Sequence, residues 1–370
     1  MRCVLNRILS MINTPYEVNR GSSRIPPGPL RGDLRGAYEE QYFCKAPRLE
    51  LLPDHAHRGR RIRMKLVTYL TSSTGPRAGA LYDGGKIVDV AAAGEAYGTP
   101  LPSDILGLLD LGDEGVRLAA RATAHAGERD LTVVPVTQAR LLAPLPRPRK
   151  VLAVAGNYAD HLIESRMAVP AKHEMTIRPF MKPSNSVIGP DEPIRFPRWS
   201  TTLDYEAELA IVMGRRATAV PTDGALAYVA GYAVFNDISA RSLTIAAGRA
   251  PRERDRFFDW LAGKWFDTFS PFGPFIATAD EVADPHALCL SLSVNETRRQ
   301  AASTGQMIFG CDEIVSFFSH LTTLEPGDII ATGTPAGVGT AEKRYLQPGD
   351  VVEATIEKLG TLRNPVGGRK

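Results

Sequence analysis

The chain is poor in cysteine. Four stand among its 370 residues, Cys3, Cys44, Cys289 and Cys311, and no two share a metal-type spacing. That excludes a disulfide framework and fits a reducing compartment, so a cytoplasmic location is expected. No apolar run approaches the length of a membrane span. A chain-wide charge bias is missing as well. The formal net charge is +3, but residues 1–63 carry 12 Lys+Arg against 6 Asp+Glu, leaving 32 basic and 35 acidic residues for the rest. A mildly acidic body gives no nucleic-acid footprint. No Gly-Lys-Ser/Thr follows a glycine-rich turn, which excludes a P-loop.

What is present is ordinary for a globular protein: 44% hydrophobic and 23% charged residues, in a length that fits one large or two medium domains. Residues 1–63 are rich in Arg, Pro and Gly and carry little hydrophobic periodicity. An organelle-targeting segment, a disordered tail and an upstream extension all fit them. Acidic Glu17, Glu39 and Glu40 weigh against targeting, and the folded part is expected to start near Met64. Residues 64–70 read as a first strand. Residues 78–90 read as a hairpin around Asp83-Gly84-Gly85. Helices are expected over 103–111 and 113–126, the second with Gly127 just after it. The proline-stiffened stretch 141–149 reads as a linker. It divides a small domain, 64–145, from a strand-rich one, 146–370. Strands are expected at 151–155, 209–213, 228–235 and 288–294. Two Pro-Gly turns, Pro326-Gly327 and Pro348-Gly349, each lead into a strand. Many strands with few helices point to a β-sandwich or roll.

The most informative stretch is Leu203-Asp204-Tyr205-Glu206-Ala207-Glu208-Leu209-Ala210-Ile211-Val212. Side chains alternate along a strand, so Glu206 and Glu208 share a face with Asp204 beside them. The apolar run after them reads as a strand buried on both sides. Carboxylates entering such a region need a partner, and a cation is the simplest one. Asp237, just past the strand 228–235, completes a candidate site. Carboxylates without paired Cys or His suit Mg²⁺ or Mn²⁺ rather than Zn²⁺. A solvated strand face plus a turn aspartate is the plainer alternative.

Other segments are candidates for chemistry too. Asn157 can cap a short helix on which His161 and Glu164, three apart, share a face; they form either a base with its orienting carboxylate or a surface ion pair. Lys264 lies among aromatics and Gly/Pro turns, as an electrophile or snorkelling over Trp265. The turn Thr332-Gly333-Thr334-Pro335-Ala336-Gly337-Val338-Gly339 offers amides and hydroxyls to an oxyanion. Residues 242–261, with a charged cluster, are either a solvated loop and helix or a lid.

Together these motifs resemble the fumarylacetoacetate hydrolase family. The resemblance spans 150 to about 366 and rests on five motifs in order. These are Gly156-Asn157-Tyr158-Ala159-Asp160-His161, 203–209, 231–241, Gly263-Lys264-Trp265-Phe266-Asp267-Thr268 and 332–339. It implies an α+β, β-rich mixed β-sandwich roll with a small N-terminal α/β domain, usually a homodimer, binding Mg²⁺ or Mn²⁺. By the same resemblance Glu206, Glu208 and Asp237 fall on metal-ligand positions. His161 and Glu164 fall on a water-activating dyad, and Arg241, Lys264 and Thr334 on positions that hold substrate. Where relatives often have Arg-Asp-Leu-Gln, this chain has Arg241-Ser242-Leu243-Thr244. The implied substrate is a small 2-oxo acid. Hydrolysis of the C–C bond of an acylpyruvate-type β-dicarbonyl is expected first. Decarboxylation of an oxaloacetate-like acid, or isomerisation or hydration of an unsaturated 2-oxo diacid in aromatic catabolism, are the alternatives. A binding protein without catalysis fits less well, since every metal and dyad position is filled.

Overall fold

The computed structural model describes residues 63–83, 85–243, 248, 250 and 252–369. The expectations for residues 1–62, and for part of the 242–261 segment including Thr244, lie outside the described residues. In chain order the strands are β1 (Lys65–Thr71), β2 (Thr74–Tyr82), β3 (Lys86–Asp89), β4 (Val133–Pro135), β5 (Arg140–Leu142), β6 (Val151–Ala155), β7 (Arg178–Lys182), β8 (Val187–Ile188), β9 (Ile194–Phe196) and β10 (Leu203–Asp204). They continue with β11 (Ala207–Met213), β12 (Val229–Asn236), β13 (Ser239–Ala240), β14 (Ser270–Thr278), β15 (Cys289–Val294), β16 (Thr297–Ser303), β17 (Ile329–Ala331), β18 (Val351–Ile356) and β19 (Gly360–Arg369). The helices are α1 (Val90–Ala96), α2 (Ile105–Asp110), α3 (Gly112–Glu128), α4 (Ala159–Glu164), α5 (Asp255–Ala262), α6 (Cys311–Leu321) and α7 (Gly339–Glu342).

Among the described residues twelve strands form one sheet with the order β4-β3-β2-β1-β14-β12-β11-β17-β6-β7, β5 beside β1 and β8 beside β14. Its middle strand β11 is buried at every residue, as the unbroken apolar run requires. The segment 178–188 pairs with β6 as β7, turns at Ser184–Ser186, and pairs with β14 as β8. The run from β14 to β7 therefore closes into a roll. A five-stranded sheet, β16-β15-β18-β19-β9, packs on one face of it, where Leu152, Val154, Leu209 and Ile211 meet Leu290, Leu292, Val352 and Ile356. The opposite face carries Val151, Ala153, Ala210, Val212, Ala233 and Phe235. The architecture is the expected β-rich α+β sandwich roll.

Several local expectations change. β5 occupies the start of the expected linker, because Arg140–Leu142 find ladder partners in β1. The 64–145 strands thus belong to the same sheet as the later ones. Gly127 lies inside α3 rather than after it. The stretch 203–212 is two strands, not one: β10 pairs with β13 in a separate small ladder, and Tyr205 and Glu206 form the break before β11. The cause is Asp204, whose carboxylate accepts from the amides of Tyr205, Gly339 and Thr340 and so turns the chain.

Candidate active site

Three strand ends meet at one end of the roll: the start of β11, the end of β12 and the end of β17. In the ladders Glu208 is opposite Phe235, and Ala210 is opposite both Ala233 and Ala331. Glu206, Glu208 and Asp237 consequently converge, with one ligand atom from each lying within 4.8 Å of the others. All three are buried. The peptide geometry is fixed by Asp237 N donating to Glu206 O at 2.8 Å and Glu206 N donating to Asn236 Oδ1 at 3.0 Å.

Three cations answer these acids. Lys264 Nζ donates to Glu206 Oε2 at 2.7 Å and to Asp237 Oδ2 at 2.6 Å. Its ammonium lies over the rings of Phe180 and Trp260, at 5.3 and 5.6 Å, not over Trp265, whose Nε1 donates to Met181 O instead. Lys264 reaches the cluster because Gly263 packs hard against β13: a Cβ there would sit 2.2 Å from Ala240 O. Arg241, on the other side, holds Asp204 Oδ2 at 2.9 Å and also donates to Glu206. Lys182, buried in β7, donates to Asp237 and to Ile238 O at 3.2 Å. Four carboxylates, Asp204, Glu206, Glu208 and Asp237, therefore face three cations.

The imbalance falls on Glu208. Burial, reinforced by Asp237 and Glu206, pushes its carboxyl well above the usual range. Burial would raise Glu206 too, but Lys264 and Arg241 outweigh it and hold that group at about 2. Burial works against the Lys264 ammonium, yet Asp237 and Glu206 overcome it and raise its pKa. At Lys182 burial prevails over Asp237, and the pKa is lowered. Glu208 Oε2 accepts from Gly333 N at 2.8 Å and meets no cation within bonding distance among the described residues. A buried oxygen-only cluster short of positive charge is a donor set that fits Mg²⁺ or Mn²⁺.

His161 and Glu164 sit on α4, partly buried, with His161 Nδ1 2.7 Å from Glu164 Oε1. Glu164 Oε2 accepts from Gly337 N at 2.8 Å, so the pair is anchored and not a loose surface contact. Asn157 does not cap α4. Tyr158 is the cap residue, and the Asn157 side chain instead accepts from Phe309 N and donates to Phe309 O and Thr332 O. It ties the α4 approach to the glycine-rich turn, because those carbonyls and amides are otherwise unpaired at the roll's end.

That turn behaves differently from its sequence reading. The Thr332 and Thr334 hydroxyls both donate to β11 carbonyls, Leu209 O at 3.0 Å and Ala207 O at 2.9 Å. The amides of Gly333, Gly337 and Gly339 go to Glu208, Glu164 and Asp204. The turn is a clamp on three acidic side chains. The Thr334 N–H is left without an acceptor among the described residues. Gly333, at φ +94°, admits no side chain: a Cβ would meet Asn157 Cβ at 2.8 Å.

Two buried residues of the site escape sequence reading. Lys182 carried one signal, a lysine two residues after Phe180 in an otherwise unremarkable stretch. Gln300 carried none: on β16 it accepts from Ala207 N and donates to Thr334 Oγ1 and Pro335 O, bonding the small sheet to the site.

The family described as Fumarylacetoacetate (FAA) hydrolase C-terminal matches residues 150–367. A Xenopus laevis protein named as a mitochondrial oxaloacetate tautomerase is 36% identical over 309 residues, 82% of this chain and 91% of its own length. A Sphingomonas protein named 2,4-didehydro-3-deoxy-L-rhamnonate hydrolase is 40% identical over 262 residues, 70% of this chain and 87% of its own. The solved structure of maleylpyruvate hydrolase from a Sphingobium species, in complex with manganese(II) and pyruvate, is 30% identical with a TM-score of 0.64, covering 83% of this chain and 100% of that one. The mitochondrial name of the first relative lends no support to a cytoplasmic location. Among the described residues no helix is long and apolar enough to cross a membrane.

Proposed function

Because the chain belongs to the fumarylacetoacetate hydrolase family, we propose that it hydrolyses the C–C bond of an acylpyruvate-type 2-oxo acid with the help of Mg²⁺ or Mn²⁺. The observation that carries this reading is the anchored His161–Glu164 pair beside a buried carboxylate cluster. Glu206, Glu208 and Asp237 would hold the ion, which supplies Lewis acidity toward the substrate's carboxylate and 2-oxo oxygens. Arg241 and the free Thr334 amide bind the carboxylate end. Lys264, kept protonated, donates to the oxygen on which enolate charge develops.

His161 presents its Nε2 lone pair, because Glu164 holds the proton on Nδ1. It takes a proton from water as the oxygen adds to the distal carbonyl carbon. The tetrahedral alkoxide then re-forms its C=O, the C–C bond breaks, and the electron pair leaves as the enolate of pyruvate. The imidazolium returns its proton to the enolate carbon. One acylpyruvate and one water thus give one carboxylic acid and one pyruvate. The proposed assembly is a homodimer, measurable by light scattering.

The relatives named as oxaloacetate tautomerases favour a second reading, in which the same residues move a proton between carbon and oxygen of an oxaloacetate-like acid. One experiment separates the two. The parent protein, at fixed Mn²⁺, is offered an acylpyruvate and oxaloacetate, with cleavage, tautomerisation and decarboxylation followed separately. Cleavage is expected. Conversion of oxaloacetate with no acylpyruvate cleavage replaces the first reading by the second.

A further inference from the structure

Strand β7 carries more than Lys182. Side chains alternate along it, so Arg178, Phe180 and Lys182 share one face. Two of the three look into the site: Lys182 bonds Asp237, and the Phe180 ring lies under the Lys264 ammonium. Arg178 is next in that row. The ladders place it at the level of the carboxylates as well. Arg178 is opposite Ala155, and Ala153 is opposite Ala331, which is opposite Ala210. Two residues further along each strand, Ala155 is level with Gly333 and Glu208.

The guanidinium of Arg178 reaches the foot of the dyad helix. A Cβ built on Gly156 would lie 3.9 Å from its Nη1. It is exposed and has no hydrogen bond or ion pair among the described residues. The site's other cations, Lys182, Lys264 and Arg241, are each held by carboxylates. The dyad acid Glu164 turns its two oxygens to His161 and Gly337 and forms no ion pair with Arg178. Asp160, exposed in the first turn of α4, forms no bridge to it.

We propose that Arg178 is the specificity residue for a second, distal carboxylate, so that the preferred substrate is a 2-oxo diacid. This rests on the 2-oxo acid reading of the site. Four residues of strand separate the Cα atoms of Arg178 and Lys182 by about 13 Å. An anion on Arg178 therefore lies several bonds from the 2-oxo acid end, at the far end of the acyl chain. The fork of the guanidinium suits a carboxylate bound through both oxygens.

The test uses probes that cannot be cleaved. 2-Oxoadipate and 2-oxohexanoate have the same chain length and differ in the distal carboxylate. Their binding to the full-length Mn²⁺-loaded protein is measured by calorimetry for the parent, Arg178→Ala and Arg178→Lys. The parent should favour 2-oxoadipate by about ten- to a hundredfold, as a charged hydrogen bond implies. Arg178→Ala should erase that preference and leave 2-oxohexanoate binding unchanged; Arg178→Lys should keep part of it. Equal binding of the two probes by the parent overturns the proposal, as does an equal loss for both in Arg178→Ala, or no binding of either. The readout needs no turnover. A parent that cleaves no acylpyruvate yet prefers 2-oxoadipate through Arg178 would sink the hydrolase reading and leave the diacid assignment standing.

Discussion

Replacing Glu164 by glutamine removes one charge and almost no volume, yet it should disable the dyad. The carboxylate has two obligations: Oε2 accepts from Gly337 N at 2.8 Å and Oε1 faces His161 Nδ1 at 2.7 Å. A carboxamide has one acceptor oxygen. The Gly337 amide can only donate, so in Glu164→Gln the carboxamide oxygen must face it, and the NH₂ must then face the imidazole. A donor opposite Nδ1 makes Nδ1 the acceptor and moves the ring proton to Nε2. The lone pair that would take a proton from water is lost. The variant should therefore lose about as much as His161→Ala, roughly 10²–10⁴-fold in kcat/KM, or about 3–5 kcal/mol of transition-state stabilisation. The assay is loss of the acylpyruvate enol absorbance at saturating Mn²⁺, with metal binding measured in parallel. The double variant should be no worse than His161→Ala, since both changes remove one function. A Glu164→Gln protein within about threefold of the parent would refute the tautomer argument, because losing a general base costs at least about a hundredfold.

Two further outcomes follow from the charges. Because burial and neighbouring acids raise the Glu208 pKa, binding of Mn²⁺ should displace a proton at pH values below that raised pKa. Affinity should then climb with pH by up to about tenfold per unit. Calorimetry in buffers of differing ionisation enthalpy would count the proton, and Glu208→Ala should bind no metal; parental affinity in that variant would mean the ligand is elsewhere. In the N-terminal part, buried Asp89 accepts from Tyr69 Oη at 2.7 Å, Ala92 N at 2.8 Å and the Arg77 guanidinium at 2.5 and 2.7 Å. Asp89→Ala should cost about 2–4 kcal/mol in urea unfolding, somewhat under a fully buried pair because Arg77 is partly exposed. Burial opposes the Asp89 charge, but Arg77 and the Ala92 amide win and lower its pKa. Its stabilisation is thus complete above about pH 3.9, the unfolded value, and is lost as pH falls through the lower folded value. An Asp89→Ala transition coincident with the parent's at neutral pH would contradict this.

The acidic triad was legible because alternation followed by an apolar run is a one-dimensional pattern, and β11 realises it over Ala207–Met213. The break at Tyr205 and Glu206 was not legible. It depends on Asp204 finding the amides of Gly339 and Thr340, more than a hundred residues away. The contact between His161 and Glu164 was legible as a helical spacing, whereas its anchoring by Gly337 was not. Closure of the roll rests on β8, two residues whose partner β14 lies far along the chain, and no local propensity marks so short a strand. Lys182 and Gln300 share this difficulty. Their importance comes from what they reach across the fold, and a lone lysine or glutamine in a strand has no pattern of its own.

The charges of the site also suggest an order of events. With every carboxylate ionised, Asp204, Glu206, Glu208 and Asp237 leave the cluster one negative charge in excess over Lys182, Lys264 and Arg241. In a poorly solvated interior such an excess is relieved by whatever is available. Without a metal ion the relief is a proton on Glu208, which is the direction its pKa takes. A divalent cation in exchange for that proton leaves one positive charge in excess. The carboxylate of a 2-oxo acid then restores neutrality, so the anion is attracted only after the ion is in place. Arg178 stands outside this count, since no carboxylate among the described residues holds it. A second carboxylate on the substrate would be the group that completes its pairing. The same electrostatic logic that orders metal before substrate therefore favours a diacid over a monoacid at the far end of the site.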